Sequence, residues 1–214
     1  MPSRTSGSEG AGTQRCVPAT RHDPDPGDEP AEGQDPAEHA VARRSYRAVR
    51  EVRHTVIRII SAHLRNGAPV SWRGHDLDFT DVVFDGGDFS RAVLTSGAVS
   101  FQGARFVVAT VDFRHARLSG ARVSFRHAQF EGGAVNFGGA CFGDGPVNFT
   151  AARFRDGTVN FGGAEFEGGT IGFREARFEG GRGNFQQARF NAGRVSFRDA
   201  QFEGGRVDFR HAQF

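Results

Sequence analysis

The chain is 214 residues long, 37% hydrophobic and 24% charged, with a formal net charge of +2; that length suits one ordinary domain with a tail, and that charge is too small to call for a nucleic-acid partner. No apolar run approaches the roughly 20 residues that span a bilayer, the N-terminus MPSRTSGSEGAGTQRC lacks the apolar core of a secretory signal, and two cysteines, Cys16 and Cys141, cannot build a disulfide framework or a four-thiolate zinc site. The expected setting is therefore reducing and cytoplasmic.

Residues 1–34 are rich in Gly, Pro, Ser, Asp and Glu, and the stretch RHDPDPGDEPAEGQDP has almost nothing to bury. A disordered tail is expected, because no core contact offsets the entropy of ordering it. Residues 35–67 form the second unit. Asp35 suits an N-cap, Pro36 the first helical position, and Glu38 completes an Asp-x-x-Glu capping pattern; Asn66-Gly67 followed by Pro69 ends the helix, which is expected over 36–66. Val49, Val52, Val56, Ile59, Ile60 and Leu64 recur at three- and four-residue spacing as one apolar stripe, and Arg43, Arg44, Arg47, Arg50, Arg53, Arg58 and Arg65 fill the rest of the surface. Such a helix can cap the open end of a core built from the C-terminal part of the chain, or adhere through residues 43–65 to an anionic membrane surface or a partner.

From Val70 onward the chain is a repeat, and the repeat decides the fold. Large residues fall five apart from Phe79 to Leu94 and then alternate seven and five to the end; two residues before nearly every one sits a small or branched apolar residue, Val99, Ala104, Val111, Ala116 and so on to Ala212. The unit is x-[Ala/Val]-x-Phe-x, with a dipeptide that usually contains Gly inserted after every second unit. In an extended strand the residues at i and i−2 point the same way and the polar residue between them points out. Stacked coils can close a tube with Phe, Ala and Val inside. A coil of about 12 residues would enclose too much volume for its perimeter, so a coil of about 24 residues on four short faces is the better fit. The outward residues support the longer period: Ser100, Ser124, Asn148, Gly172 and Ser196 form one column, Asp112, Asn136, Asn160, Asn184 and Asp208 another. About six coils at about 4.8 Å each give a rod about 30 Å long. The expected core ladder includes Phe101, Phe113, Phe125, Phe137, Phe149, Phe161, Phe173, Phe185, Phe197 and Phe209. Gly is expected to turn the corners.

Units such as Val123-Ser-Phe-Arg-His, Ala128-Gln-Phe-Glu-Gly and Ala164-Glu-Phe-Glu-Gly resemble pentapeptide repeats. The five–seven spacing looks like the actinobacterial branch of that family, as do His63-Leu64 and the entry segment Trp72-Arg-Gly-His-Asp-Leu77-Asp-Phe79. The resemblance covers residues 70–214 firmly and 45–69 weakly. It implies an all-β fold, a right-handed parallel quadrilateral β-helix preceded by one α-helix, and it is nearly silent on function. Some members imitate DNA and bind a type II topoisomerase; that requires strong negative charge, whereas residues 70–214 are nearly balanced. A Thr ladder for ice binding is also missing.

No catalytic, cofactor or metal residue is assigned. His115, His127 and His211 each follow a Phe by two residues with no second ligand type at a fixed offset, and Ser124-Phe-Arg-His127 lacks an acid partner and a nucleophile elbow. Cys141, between Ala140 and Phe142, reads as an outward cysteine without the local positive charge that activates a thiol. The repeat runs in phase to Phe214, so an open last coil predicts homodimerisation through Phe202, Phe209 and Phe214, a truncated chain being the plain alternative. The expected function is a non-enzymatic, rigid scaffold for an unidentified protein partner, with a regulator of DNA topology or a peripheral membrane protein as the other readings.

Overall fold

The computed structural model describes residues 26–107 and 109–214. Most of the expected disordered tail, residues 1–25, lies outside the described residues. Residues 26–34 run back along the helix: Pro26 O is 3.0 Å from His39 Nε2, and Arg43 meets the Asp28 carboxylate at 2.5 Å.

The helix α1 spans Pro36–Leu64. Asp35 Oδ1 accepts a hydrogen bond from Ala37 N at 2.8 Å, which supplies one of the acceptors that free helical amides need. The helix stops two residues before the expected 66 because its last carbonyls find partners in the returning chain. Trp72 N donates to His63 O at 3.1 Å, Arg73 donates to Arg65 O at 2.8 Å, and the His63 and Trp72 rings stack at 4.3 Å.

The single apolar stripe read from the sequence is corrected by the structure into two. Ile57, Ile60 and Leu64 are buried in the core of the rod, with Val56 partly buried against it. Val52 and Ile59 lie on another face of the helix, and Val49, on the face of Val56 but two turns earlier, is also open; the three are 43–63% exposed. The expected set mixed both faces and left out Ile57.

Beyond the helix the chain winds into a four-sided parallel β-solenoid. The first face is built from Leu77–Asp78, Ala98–Ser100, Arg122–Ser124, Val147–Asn148, Thr170–Gly172 and Arg194–Ser196. The second and third faces also carry six strands each and the fourth carries five, all paired parallel. Val99 lies beside Val123, Val123 beside Val147 and Val147 beside Ile171, and Asn160 bonds to Asn136, so one winding takes 24 residues. From Leu77 the chain completes five turns and most of a sixth. The first turn is shorter by a dipeptide: Leu77 lies beside Val99 and Phe84 beside Phe106, and Asp76 Oδ1 accepts from Ala98 N, 22 residues on. Gly87 already lies beside Val111, in the full register. The missing dipeptide falls where α1 packs on Gly87–Asp88. Glycine lets the helix come close there, since a Cβ at Gly87 would lie 3.3 Å from Ile57 Cγ2.

The interior consists of four continuous columns. Phe79, Phe101, Phe125, Phe149, Phe173 and Phe197 stack at centroid distances of 4.7–5.0 Å, nearly parallel. The second face stacks Phe84 through Phe202, the third Phe89 through Phe209, and the fourth begins with Leu94 and Leu118 and continues as Phe142, Phe166, Phe190 and Phe214. The stacking distance equals the strand spacing, so each ring meets the ring one turn away with no lateral shift. Of the expected ladder, Phe101, Phe113, Phe125, Phe137, Phe149, Phe161, Phe173 and Phe185 are 0–1% exposed, while Phe197 and Phe209, in the last turn, are partly buried.

The corners after the first and third faces depart from the expectation that Gly turns them. The residue two after each Phe adopts φ of 56–59° at Asp81, Arg91, His115, His127, Ala151, Glu175, Gln187, Asp199 and His211, and only Gly103, Gly139 and Gly163 are glycine. Each turn is closed by a bond from the following amide to the Phe carbonyl, such as Ala152 N to Phe149 O at 3.1 Å. Side chains in this conformation cost about 1–2 kcal/mol each. Ala151→Gly is therefore expected to raise stability by about 0.5–1 kcal/mol, and Gly163→Ala, with open space around its Cβ, to lower it by about 1 kcal/mol in urea denaturation. Equal effects of the two substitutions would contradict this account of the corners.

Candidate interaction surface

With the interior filled by rings, the groups able to act on anything else are outside, in fixed vertical register. One column of the third face carries Asp112, Asn136, Asn160, Asn184 and Asp208. Asn160 donates to Asn136 Oδ1 at 3.0 Å and Asn184 donates to Asn160 Oδ1 at 2.9 Å, while each Oδ1 also accepts the amide two residues on. These side chains are spent on holding turns together. At the end of the column, hydrogen bonds from Arg210, then its backbone amide and Gln186, hold the Asp208 carboxyl below the usual range.

Charge is balanced between turns. Arg105 meets Glu131 at 2.7 Å, Arg189 meets Glu165 at 2.9 Å and Arg155 meets Glu179 at 3.5 Å. On the second face Arg153 lies directly beside Arg177, and neither has a carboxylate within salt-bridge distance among the described residues. Both line an open polar groove along the first corner, floored by Ala151 and flanked by His127, Gln129, Glu175, Asp199 and Gln201. Like charges on directly paired strand residues are unfavourable, so this pair is a place where an anionic group from a partner would be favoured.

The packing of the helix on the rod was expected, but the polar contacts that hold the joint were not foreseen from the sequence. Asp85 is 7% exposed and gathers Arg53 at 2.5 Å, His54 Nε2 at 3.0 Å and Arg50 at 3.5 Å. Ser61 donates to the Asp88 carbonyl, and Arg65 reaches the Asp88 carboxylate at 2.8 Å. Burial opposes ionisation of Asp88, but bonds from Ser90 and then the charge of Arg65 bring its carboxyl below the ordinary value. The only sequence signal was position: Asp85 follows Phe84, as Val107, Glu131 and Arg155 follow their own phenylalanines.

His115, His127 and His211 sit at separate corners. Among the described residues no three His, Cys, Asp or Glu side chains assemble as a metal site, and no helix is long and apolar enough to cross a membrane. Cys141 is partly buried with Sγ 3.9 Å from Glu165 Oε2; burial first, then Glu165 and Glu167, push its thiol up. Alkylation of Cys141 at pH 8, in a Cys16→Ser background, is expected to be slower than that of a free thiol and to accelerate with Glu165→Gln. A rate at or above that of free cysteine would contradict the assignment. Phe202 is 47% and Phe214 87% exposed in the last turn.

These features define a four-sided parallel β-solenoid whose variable chemistry is external. Residues 169–213 match the family model for pentapeptide repeats, nine copies, so the chain carries pentapeptide repeats there. Solved structures similar to it include a trypsin-treated variant of QnrB1, a plasmid-mediated fluoroquinolone resistance protein, at 16% identity over 66% of this chain and 84% of that one, with a TM-score of 0.24. Another is HetL, a pentapeptide repeat protein involved in heterocyst differentiation regulation from the cyanobacterium Nostoc sp. strain PCC 7120, at 14% identity over 66% and 81%, with a TM-score of 0.19. No curated protein sequence matches the chain.

Proposed function

We propose that the chain is a non-enzymatic, rigid scaffold that presents its exterior to a protein partner. The observation that carries this reading is the continuity of the four internal columns: with rings stacked at 4.5–5.2 Å through successive turns, the interior leaves no room for a substrate. The exterior, by contrast, holds charged and amide groups at fixed 24-residue intervals. Arg153 and Arg177 on the first-corner groove are the part of that exterior best suited to an acidic segment of a partner.

The test is capture of partners from the protein's own cells by the full chain and by Arg153→Ala/Arg177→Ala. Loss of a specific captured protein with an unchanged melting temperature supports the reading. Capture indifferent to substitutions on all four faces would overturn it.

A DNA mimic acting on a topoisomerase is disfavoured, since residues 70–214 hold 17 Arg against 16 Asp and Glu. Membrane adhesion through residues 43–65 draws on arginines of which Arg43, Arg50 and Arg53 are already engaged by Asp28 and Asp85. Self-association through Phe202, Phe209 and Phe214 is a separate proposal, supported by the exposure of the Phe202 and Phe214 rings.

A further inference from the structure

We propose that the outer face of α1 is a seam for α1 of a second copy of this chain, the two helices packing antiparallel. The helix carries two opposite stripes, each spaced alternately three and four residues. The inner one, through Arg53, Ile57, Ile60 and Leu64, is occupied by the rod. The outer one runs Val41, Ser45, Ala48, Val52, Thr55 and Ile59, and every member but the half-buried Thr55 is exposed; Val41 is 54%, Val52 63% and Ile59 48% open. Alternation of three and four is the spacing that keeps one narrow seam facing another helix. Residues 26–34 and the rod both lie on the other side, held by His39, Arg43 and Asp85, so nothing described covers this stripe.

The choice of occupant follows from size and charge. The stripe has small and β-branched residues and no aromatic or Leu, which favours close approach of a second helix over insertion among lipids. With antiparallel helices in one register, Val41 packs on the partner helix at the position of Val52, and Ser45 at that of Ala48. Arg44 then faces the position of Glu51 at both ends of the seam, because a two-fold axis repeats each contact. Sliding by one heptad would bury Ile59 as well, but it would set Arg44 against Arg58 and Glu51 against Glu51. Charge therefore favours the first register over this one. The patch is short, so association belongs in the micromolar range; the helix is already formed and anchored, so no ordering of a free segment opposes it.

The seam does not depend on what the rod's faces bind. Sedimentation equilibrium of the full chain at micromolar concentration is expected to show a reversible dimer. Val52→Glu, at a position exposed in the single chain, is expected to give a monomer with unchanged circular dichroism. Arg44→Glu turns two ion pairs into two like-charge contacts and is expected to weaken association about tenfold. Arg44→Glu/Glu51→Arg restores opposite charges and is expected to recover most of the loss. A monomeric wild type overturns the proposal, and so does a dimer that survives Val52→Glu and is lost instead with Phe202→Asp/Phe214→Asp. A wild-type monomer that binds phosphatidylserine vesicles through Val52 would reassign the seam to lipid and also overturn it.

Discussion

Phe149→Asp is expected to abolish the cooperative folding transition of the rod. Phe149 is 0% exposed; its ring stacks on Phe125 at 4.7 Å and Phe173 at 4.8 Å and meets the edge of Phe161 at 6.2 Å. Removing a buried Phe side chain alone costs about 3–5 kcal/mol. An unpaired carboxylate in its place adds several more. Together these approach or exceed the whole stability of an ordinary domain, about 5–15 kcal/mol. In a solenoid the damage also interrupts the column between the turns on either side, so neither half can be stabilised through the other. Arg153→Ala, four residues away on the outside, is expected to change stability by less than about 0.5 kcal/mol. Scanning calorimetry distinguishes the two, and a cooperative transition in Phe149→Asp near that of the wild type would contradict the packing.

Asp85→Ala is expected to destabilise the chain by about 3 kcal/mol, because it leaves a buried guanidinium without its counter-charge. The Arg53 side chain is only 10% exposed and its Nε has no partner among the described residues, so its charge depends on the Nη2 contact with Asp85. Arg50, 46% exposed, loses little. The loss should be non-additive: Asp85→Ala/Arg53→Ala is expected to cost less than the two single substitutions summed. Chemical denaturation of the four variants in this cycle checks it. Additive costs would show that Asp85 and Arg53 do not act as a pair. Ile57, Ile60 and Leu64 remain against the rod in every variant, so the helix loses its polar pin while keeping its apolar anchor.

The rod was legible because its repeat binds sequence to geometry directly. A Phe every five or seven residues, each preceded two positions earlier by Ala or Val, is sufficient to place both side chains on the inside, and outward columns such as Ser100 and Ser124 revealed the 24-residue period. The helix was harder, for a specific reason. Two stripes on opposite faces, both apolar and both at three- and four-residue spacing, look like one when only composition and spacing are read. The contact that separates them, Ile57 against Gly87, requires knowing where the rod lies. Asp85 was invisible for a similar reason: its position in the unit is an outward one in every later turn, and only in the first turn does a helix lie over it. The corners were misread because φ at positions such as Ala151 and His127 is imposed by the winding, against the residues' own preference.

Electron–electron distance measurement between spin labels at Ser100 and Ser196 tests the winding most directly. The two positions are far apart in sequence but lie in one column of the first face, through Ser124, Asn148 and Gly172. Four turns at about 4.8 Å place their backbones about 19 Å apart, with a narrow distribution. A separation of about 38 Å, which a coil half as long would give at the same spacing, or a broad distribution would contradict the four-sided rod and the external scaffold built on it.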